Sequence, residues 1–379
     1  MVQLENNMKK IGITGQAGFM GTHLFNYLNL KEDIETIPFE DAYFDEEAVL
    51  EGFVKKCDVI VHLAAMNRHE DQQVIYDTNI NLVEKVIAAC EKTNSKPHIL
   101  FSSSTQEKQD NLYGQSKQKG RELFEEWARR NNARFTGMII PNVFGPFGQP
   151  YYNSVVATFC HQLTHGETPQ IHVDGEVKLI YINDLSEEFY NKINASDDQL
   201  IRKYEVPHRT VVKVSRMLDL LNDYKTDYLE KGIFPDLSNP FELALFNTFR
   251  CYIPEDHYPF HYTKHADDRG VFVEIARTNT SGQFSYSTTV PGITRGNHYH
   301  TRKAERFAVI KGKAKIQLRR IGTNQLIEYE LNGEQPSFVD MPIWHTHNII
   351  NTGEEELVTL FWINEPFNLD DPDTYFETV

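Results

Sequence analysis

The sequence predicts two domains of different fold class: an α/β domain with a doubly wound parallel sheet over residues 9–245, and an all-β jelly-roll barrel over residues 252–379. Three observations predict this division. The 379 residues exceed what one hydrophobic core usually supports. Strand-like and helix-like segments alternate in the first part of the chain. From about Cys251 onward, short alternating strands such as 307–310 and 314–318 replace the helical periodicity, and the Asn239–Pro240 pair with the mixed run to Pro254 is a candidate junction.

Composition and charge exclude some functions. The formal net charge of −16 disfavours nucleic-acid partners, because binding a polyanion relies on Lys and Arg displacing counterions. No apolar run approaches the ~18 residues of a membrane span, and the first eight residues lack the features of a secretory signal. The four cysteines are widely spaced and form no Cys-x-x-Cys pair, which argues against disulfides or a thiolate zinc site. We therefore expect a cytoplasmic protein.

A glycine-rich loop follows the first apolar segment. Gly15 and Gly18 would let the backbone turn sharply and approach a pyrophosphate, and Gly21 would let the following helix pack on the strand. The start of that helix supplies N–H donors and a positive dipole. The pattern predicts a dinucleotide site, although a glycine cluster can begin a helix in any α/β protein.

Later segments support a parallel sheet. An apolar strand is predicted over residues 58–65, a helix over 76–91 and another strand over 98–102. Ligands of such sheets bind at the carboxyl ends of the strands, where Ser102, Ser103 and Ser104 lie. Tyr113 and Lys117 follow with a spacing that places both on one helical face. A neighbouring ammonium would lower the pKa of the phenol, so that Tyr113 could protonate a carbonyl during hydride transfer.

These segments, with 141–146 and 178–184, resemble the extended short-chain dehydrogenase/reductase family, which has a Rossmann fold. The resemblance implies Ser104, Tyr113 and Lys117 as catalytic residues, with Ser103 as the second candidate for the catalytic serine. The gap between the serines and Tyr113 is shorter than in most relatives. Ser103 and Asn142 would bind substrate. The implied nicotinamide-cofactor site comprises Gly12, Thr14, Gly15, Gly18, Phe19, Met20, Gly21, Leu63, Ala64, Ala65, Asn79, Tyr113 and Lys117.

The choice of nicotinamide stays open at this point. Glu40 and Asp41 follow the presumed second strand, with no Arg or Lys to receive a ribose 2′-phosphate, which favours NADH. The chain also resembles a family of reductases fused to a barrel, described below, and this resemblance implies NADPH, which that family generally uses. We therefore expect NADPH, with NADH as the alternative.

The C-terminal part contains a set of metal-ligand types. Two-residue periodicity sends His298 and His300 to the same face of a strand, and Glu305 and His347 can complete a three-histidine, one-carboxylate set. The spacing resembles both cupin motifs, which implies a jelly-roll barrel holding a metal. We expect Zn²⁺, although Fe²⁺, Mn²⁺ and Ni²⁺ also suit these ligands. Trp344 stands where the second motif normally has glycine, and His345 is an additional acid-base candidate, as is Lys303.

Segments 267–274 and 294–298 are similar to the sugar-nucleotide 3,5-epimerase branch of cupins, in which the histidine matching His298 is the proton-abstracting base. The domain order, with segments 102–106, 109–114, 152–155 and 373–376, resembles a family of fused reductase and cupin enzymes of capsule synthesis. That resemblance implies a homodimer. It also implies C3 epimerisation of a UDP-2-acetamido-2,6-dideoxy-hexos-4-ulose and reduction at C4 to a UDP-6-deoxy-L-talosamine derivative, on the path to UDP-N-acetyl-L-fucosamine.

Two other functions remain open. A related fused enzyme would make a rhamnose-like nucleotide sugar without the acetamido group. Alternatively, a lone reductase would carry a non-catalytic cupin for dimerisation or ligand sensing.

Overall fold

The computed structural model describes residues 8–195, 199–263, 265–267, 270–272, 275–278, 282–365 and 368–379. The chain forms two compact units. The first comprises residues 1–144, 148–155 and 176–212, and the second comprises residues 145–147, 156–175 and 213–379. Within segment 267–274, to which the epimerase resemblance refers, Asp268, Arg269, Val273 and Glu274 lie outside the described residues.

The first unit has a parallel six-stranded sheet in the order β2-β1-β3-β4-β5-β8, flanked by helices, and a smaller sheet of β6, β7 and β9. This order confirms the predicted doubly wound α/β fold. The order in which strands are added to the sheet reverses between β1 and β3, so a ligand crevice is expected at the carboxyl ends of these two strands. The strands are β1 (Lys9–Thr14), β2 (Ile34–Ile37), β3 (Val59–His62), β4 (His98–Ser104), β5 (Phe135–Ile140), β6 (Asn142–Phe144), β7 (Glu176–Tyr181), β8 (Ile201–Glu205) and β9 (Thr210–Lys213).

Polar caps delimit the longest helices. The side chain of Asp71 accepts a hydrogen bond from Gln73 N (2.8 Å) at the start of α3, and Asn111 accepts one from Gly114 N (2.7 Å) at the start of α4. Both helices end at an asparagine in the left-handed conformation, Asn94 and Asn132. The helices of the chain are α1 (Phe19–Leu28), α2 (Glu47–Val54), α3 (Gln72–Thr93), α4 (Leu112–Asn131), α5 (Val155–Thr164), α6 (Ile182–Asn194), α7 (Val214–Asp223) and α8 (Pro240–Arg250).

The second unit contains two five-stranded antiparallel sheets, in the orders β11-β20-β17-β22-β15 and β19-β18-β21-β16-β23. This is the arrangement expected of a jelly-roll barrel. The strands are β10 (Ile233–Phe234), β11 (Phe260–His261), β12 (His265–Asp267), β13 (Gly270–Phe272), β14 (Arg277–Thr278), β15 (Gln283–Thr289), β16 (Thr294–Tyr299), β17 (Glu305–Lys311), β18 (Lys313–Arg320), β19 (Leu326–Asn332), β20 (Ser337–Met341), β21 (His345–Asn351), β22 (Leu357–Ile363) and β23 (Tyr375–Phe376).

Each unit has its own apolar core. In the first unit, side chains from α2, α3 and α4, including Phe53, Val86 and Phe124, pack with residues of the central strands. In the second unit, Ile316, Val339 and other inward-facing residues fill the space between the two sheets. No helix in the described part of the chain has both the length and the apolar character needed to cross a membrane.

The segment before the barrel differs from the simplest interpretation of the sequence. The Asn239–Pro240 pair does not lie between the units. Asn239 caps the amino terminus of α8 through hydrogen bonds from Phe241 N (2.9 Å) and Glu242 N (3.3 Å), and Pro240 occupies the first turn. Residues 213–250 belong to the second unit, in which α8 contacts the barrel through hydrogen bonds from Asn247 Nδ2 to Arg302 O (2.8 Å) and from Arg250 Nη2 to Met341 O (3.0 Å).

Candidate active sites

The glycine loop joins β1 to α1 at the predicted crevice. Gly15 has a φ of +69°, and a Cβ atom there would lie 2.8 Å from both N and Cα of Ala64, which follows β3. A Cβ on Gly21 would lie 2.1 Å from Gly15 O. Close backbone approach therefore requires glycine at both positions. By contrast, a Cβ on Gly12 would meet side chains of the core, Phe53 and Cys57, so Gly12 permits packing beneath the loop.

Hydrogen bonds hold the ends of β1 and β3 together next to the loop. Thr14 Oγ1 and His62 Nδ1 are 2.9 Å apart, and Leu63 N donates to Thr14 O at 3.2 Å. Asn79 on α3 accepts from Met66 N (2.7 Å) through its side-chain oxygen and donates to Met66 O (3.1 Å) through its side-chain nitrogen. Its observed role is thus to hold the chain that continues from β3.

The three serines end β4 in different environments. Ser102 Oγ donates to His62 O (3.1 Å), and Ser103 Oγ donates to a carboxylate oxygen of Glu107. Ser104 Oγ accepts from Gln106 N (3.1 Å), which leaves the hydroxyl hydrogen available to another acceptor. This difference favours Ser104 over Ser103 as the serine that holds a substrate carbonyl.

A buried ion pair under the serines has no counterpart in the sequence prediction. Arg121 donates to Glu107 through Nε (2.8 Å) and Nη2 (3.1 Å), and a further donor, Lys203 Nζ, lies 3.3 Å away. Burial opposes ionisation of Glu107, but its hydrogen bonds with Arg121 and Ser103 outweigh burial and hold its pKa below the usual range. The Glu107 carboxylate is therefore charged, and it fixes the Ser103 hydroxyl by accepting its hydrogen bond. This pair could not be predicted from local sequence, because Glu107 and Arg121 are 14 residues apart.

Tyr113 and Lys117 share one face of α4, as predicted. Lys117 Nζ donates to Ser102 O (3.0 Å) and lies 5.8 Å from the centroid of the Tyr113 ring. The expected lowering of the phenol pKa is wrong for this structure. Burial, with a smaller effect from Tyr152, raises the pKa of Tyr113 to about 12, and burial lowers the pKa of Lys117 to about 8. Tyr113 is thus protonated at neutral pH, the state that a proton donor requires.

The other predicted residues of the first unit fall into two groups. Phe19 and Met20 form the first turn of α1, and Ala64 and Ala65 follow β3, so all four lie around the glycine loop. Asn142 begins β6, where it pairs with Leu179 of β7 and is exposed.

Four side chains of the barrel form a cluster suited to a metal ion. His298, His300, Glu305 and His347 each present one ligand atom, and these atoms all lie within 4.8 Å of one another. His347 Nε2 is buried, lies 3.2 Å from Glu305 Oε2 and makes no hydrogen bond within the described residues. A buried imidazole nitrogen without a hydrogen-bond partner, next to a carboxylate and two further imidazoles, fits a divalent cation.

Backbone groups orient the imidazoles. His300 Nδ1 lies 2.5 Å from Asp373 O, and His347 Nδ1 lies 3.2 Å from His345 O. Donation from Nδ1 to each carbonyl leaves Nε2 of both rings free to ligate, as is usual around bound metals. The Asp373 carboxylate also accepts from the backbone N–H groups of Thr301 (3.0 Å), Arg302 (3.0 Å) and Lys303 (3.1 Å). This orienting role of Asp373 was not predicted from sequence.

The electrostatics of the cluster suit a metal or a base. Burial opposes ionisation of Glu305, but the adjacent imidazoles of His300 and His347 outweigh it and hold its pKa well below the usual range. Burial, followed by the effect of His347, lowers the pKa of His298 to about 4. The carboxylate is therefore charged and His298 is neutral near pH 7.

Neighbouring residues have other environments. Trp344 has a φ of +58°, a backbone conformation that favours glycine, which explains why glycine is usual at this position. Its ring is buried, and the centroids of the Trp344 and Tyr299 rings are 5.6 Å apart. His345 contributes no ligand atom to the cluster. Its ring is 5.9 Å from that of Phe147, and its Nδ1 lies 3.1 Å from Ile343 O. Lys303 is buried and donates to Pro372 O (2.8 Å).

Three features are typical of Rossmann-fold dinucleotide-binding enzymes: the glycine loop, the switch-point sheet and the Tyr113/Lys117 pair. Family comparison agrees with this class. Residues 11–200 match the NAD dependent epimerase/dehydratase family, to which the chain belongs, and residues 265–375 match the polysaccharide biosynthesis C-terminal domain. The chain is also similar to the capsular polysaccharide assembling protein CapF from Staphylococcus aureus. Identity to that crystal structure is 34%, over 98% of this chain and 100% of that chain, with a TM-score of 0.62.

Two curated proteins are also similar. UDP-2-acetamido-2,6-beta-L-arabino-hexul-4-ose reductase from Pseudomonas aeruginosa is 34% identical over 97% of this chain and 98% of its own length. The spore coat polysaccharide biosynthesis protein SpsL from Bacillus subtilis is 27% identical over 29% of this chain and 80% of its own length.

Proposed function

We propose that the chain is a bifunctional nucleotide-sugar enzyme. Its barrel epimerises C3 of a UDP-2-acetamido-2,6-dideoxy-hexos-4-ulose, and its first unit reduces the C4 ketone with NADPH to UDP-2-acetamido-2,6-dideoxy-L-talose. The product lies on the path to UDP-N-acetyl-L-fucosamine. The observation that carries the proposal is the pairing of a reductase-type Tyr113/Lys117 site and the His298 cluster in one chain. The full-length similarity to a reductase named for such a keto sugar supports this substrate.

In the reduction, residues of the first unit bind the ketone and deliver a proton. The cofactor, when bound, supplies a hydride. The Ser104 hydroxyl donates a hydrogen bond to the ketone oxygen and orients it. The protonated phenol of Tyr113 then gives its proton to that oxygen, which completes the alcohol. Lys117 stabilises the resulting phenolate from the same face of α4.

Residues of the barrel act on the carbon next to the ketone. A zinc ion, when bound, acts as a Lewis acid towards a ketone oxygen. His300, Glu305 and His347 would hold it. His298, neutral at pH 7, either completes that set or removes the C3 proton. The two roles compete for one lone pair, since the backbone at Gly296 is hydrogen-bonded to the ring.

The central experiment separates the two reactions. The metal-replete protein is incubated with the UDP-4-keto acetamido sugar in deuterated buffer, and NADPH or NADH is then added while absorbance at 340 nm is followed. We expect deuterium at C3 before the nicotinamide is added, and oxidation of NADPH afterwards. Reduction without exchange would favour the alternative of a lone reductase with a non-catalytic barrel. Faster turnover of the 2-hydroxy analogue would favour the rhamnose-like product.

Matched variants assign each reaction to its residues. Tyr113→Phe should abolish reduction but leave C3 exchange, because it removes only the proton donor. His298→Ala should abolish exchange, whereas His345→Ala, which removes a buried histidine of β21 that contributes no ligand atom to the cluster, should retain it. Unimpaired reduction by Tyr113→Phe would contradict the assignment of the acid.

Metal content and assembly can be measured separately. Glu305→Ala should lose most of the zinc detected by mass spectrometry in the purified protein, because the set loses its only carboxylate. Wild-type metal content in that variant would contradict the proposed ligand set. Sedimentation equilibrium tests the homodimer that the sequence resemblance implies.

A further inference from the structure

The second unit contains a cavity apart from the cluster of metal-ligand types. Its volume is about 220 Å³, and its walls come from β18, β19, β20, the start of β21 and the chain after α8. None of the four clustered residues lines it. Arg250 and Arg320 do, together with the aromatic rings of Phe147, Tyr258 and Tyr329. We call this space the arginine cavity.

Arg250 has donors without acceptors. It is the last residue of α8 and is only 3% exposed. Its Nη2 donates to Met341 O at 3.0 Å, but Nε and Nη1 are buried and have no hydrogen-bond partner within the described residues. Leaving such donors of a charged group unsatisfied is unfavourable, so their orientation calls for an acceptor.

Arg320 supplies a second guanidinium. It is the last residue of β18, opposite His345 in the register, and its guanidinium carbon lies 4.1 Å from the centroid of the Phe147 ring. No carboxylate of the described residues forms an ion pair with it. Burial lowers the pKa of Arg320 from its ordinary value, yet an arginine remains charged near neutral pH. The ring holds the guanidinium in place without neutralising it.

The acids of the cavity wall do not balance these charges. Asp340 accepts from Arg306 through Nε (2.7 Å) and Nη2 (3.0 Å), so it is already neutralised by a different arginine. Glu255, which accepts from the neutral Gln325 Nε2 at 2.9 Å, leaves one carboxylate charge against the two guanidinium charges. The arginine cavity therefore carries excess positive charge next to unsatisfied N–H groups.

We propose that the arginine cavity binds a phosphate-type oxyanion between Arg250 and Arg320. The planar donor fork of arginine matches two oxygens of such a group, and the low polarity of the aromatic walls strengthens charge-assisted hydrogen bonds. Free phosphate and the diphosphate of a nucleotide share this chemistry. The walls of Phe147, Tyr258 and Tyr329 additionally suit a planar base attached to the phosphate. This inference stands independently of the reactions proposed above.

Isothermal titration of the full chain with inorganic pyrophosphate tests the proposal. NADPH is present at saturation, so that the glycine loop of the first unit is occupied. Arg320→Gln should weaken binding about 10- to 100-fold, the effect of losing one charge-assisted interaction. The matched control is Arg319→Gln. Arg319 lies on the other face of β18, where it donates to Glu377 (2.9 Å), and its replacement should change the dissociation constant by less than about twofold.

Three outcomes would overturn the proposal: no binding to the wild type, equal binding to wild type and Arg320→Gln, or equal weakening by both substitutions. A crystal soaked in tungstate gives an answer that does not depend on the folding of any variant. An anomalous peak between Arg250 and Arg320 supports the proposal, and peaks only elsewhere refute it. UDP binding that is at least tenfold tighter than pyrophosphate binding, and that Arg320→Gln weakens, would identify a nucleotide as the source, and equal affinities would identify free inorganic anions.

Discussion

Replacing Gly15 by alanine tests whether close approach of the loop to β3 creates the cofactor site. The left-handed backbone at Gly15 (φ +69°) disfavours alanine by about 1–2 kcal/mol. The added Cβ would also lie 2.8 Å from backbone atoms of Ala64, an overpacking that typically costs about 1–3 kcal/mol. The loop relieves this clash by moving away from Ala64, and its N–H groups then leave the position suited to a pyrophosphate.

Gly166 provides a control for backbone strain alone. Its φ is +77°, and a Cβ there would meet no atom within 4 Å. Gly166→Ala should therefore cost about 1–2 kcal/mol of stability without affecting the cofactor. For Gly15→Ala, a loss of about 1.4 kcal/mol of NADPH binding free energy from the clash would raise the dissociation constant tenfold.

The assay is a titration of NADPH fluorescence with each purified variant. We expect Gly15→Ala to bind at least about tenfold more weakly than wild type and Gly166→Ala to stay within about twofold. A folded Gly15→Ala protein with wild-type affinity would refute the reasoning, as would equal weakening by both substitutions.

Further predictions concern stability and metal binding. Burial, then the charge of Lys117, lowers the pKa of His62 to about 3, so between pH 6.5 and 3 the unfolded chain binds a proton that the folded chain does not. Stability should fall as pH drops through that range, and thermal melts of His62→Gln should show a smaller fall. Arg306→Met removes the buried partner of Asp340 and should cost about 3–5 kcal/mol by calorimetry, whereas Lys315→Met in a solvent-screened pair should cost far less. Asp373→Ala should weaken zinc binding about 10- to 100-fold in a chelator competition, because the loop between His300 and Glu305 loses its acceptor.

The sequence predicts best those features that depend on neighbouring residues. Alternation of apolar residues indicates β17 and β18 within one or two residues of their bounds, and the fixed spacing of His298 and His300 places both in the cluster. The glycine spacing likewise indicates the loop after β1. In each case the periodicity of a single element determines which side chains share a face.

Features that depend on distant partners were not predicted. The pKa of Tyr113 follows from how deeply α4 packs, which outweighs the nearby lysine. The three-dimensional packing alone pairs Arg121 with Glu107, and it leaves Nε and Nη1 of Arg250 without an acceptor among the described residues. Asn239–Pro240 illustrates a local signal with two meanings, since the same residues that favour a loop also begin a helix.

The contact between Asp373 and the loop from His300 to Glu305 also bears on how the protein is made. Asp373 lies 73 residues after His300 in the chain, yet its carbonyl oxygen orients that imidazole and its carboxylate holds the backbone at Thr301, Arg302 and Lys303. During translation, the four proposed metal ligands therefore leave the ribosome before the residue that orients His300. A cation bound in this geometry would be captured only after Asp373 has been synthesised.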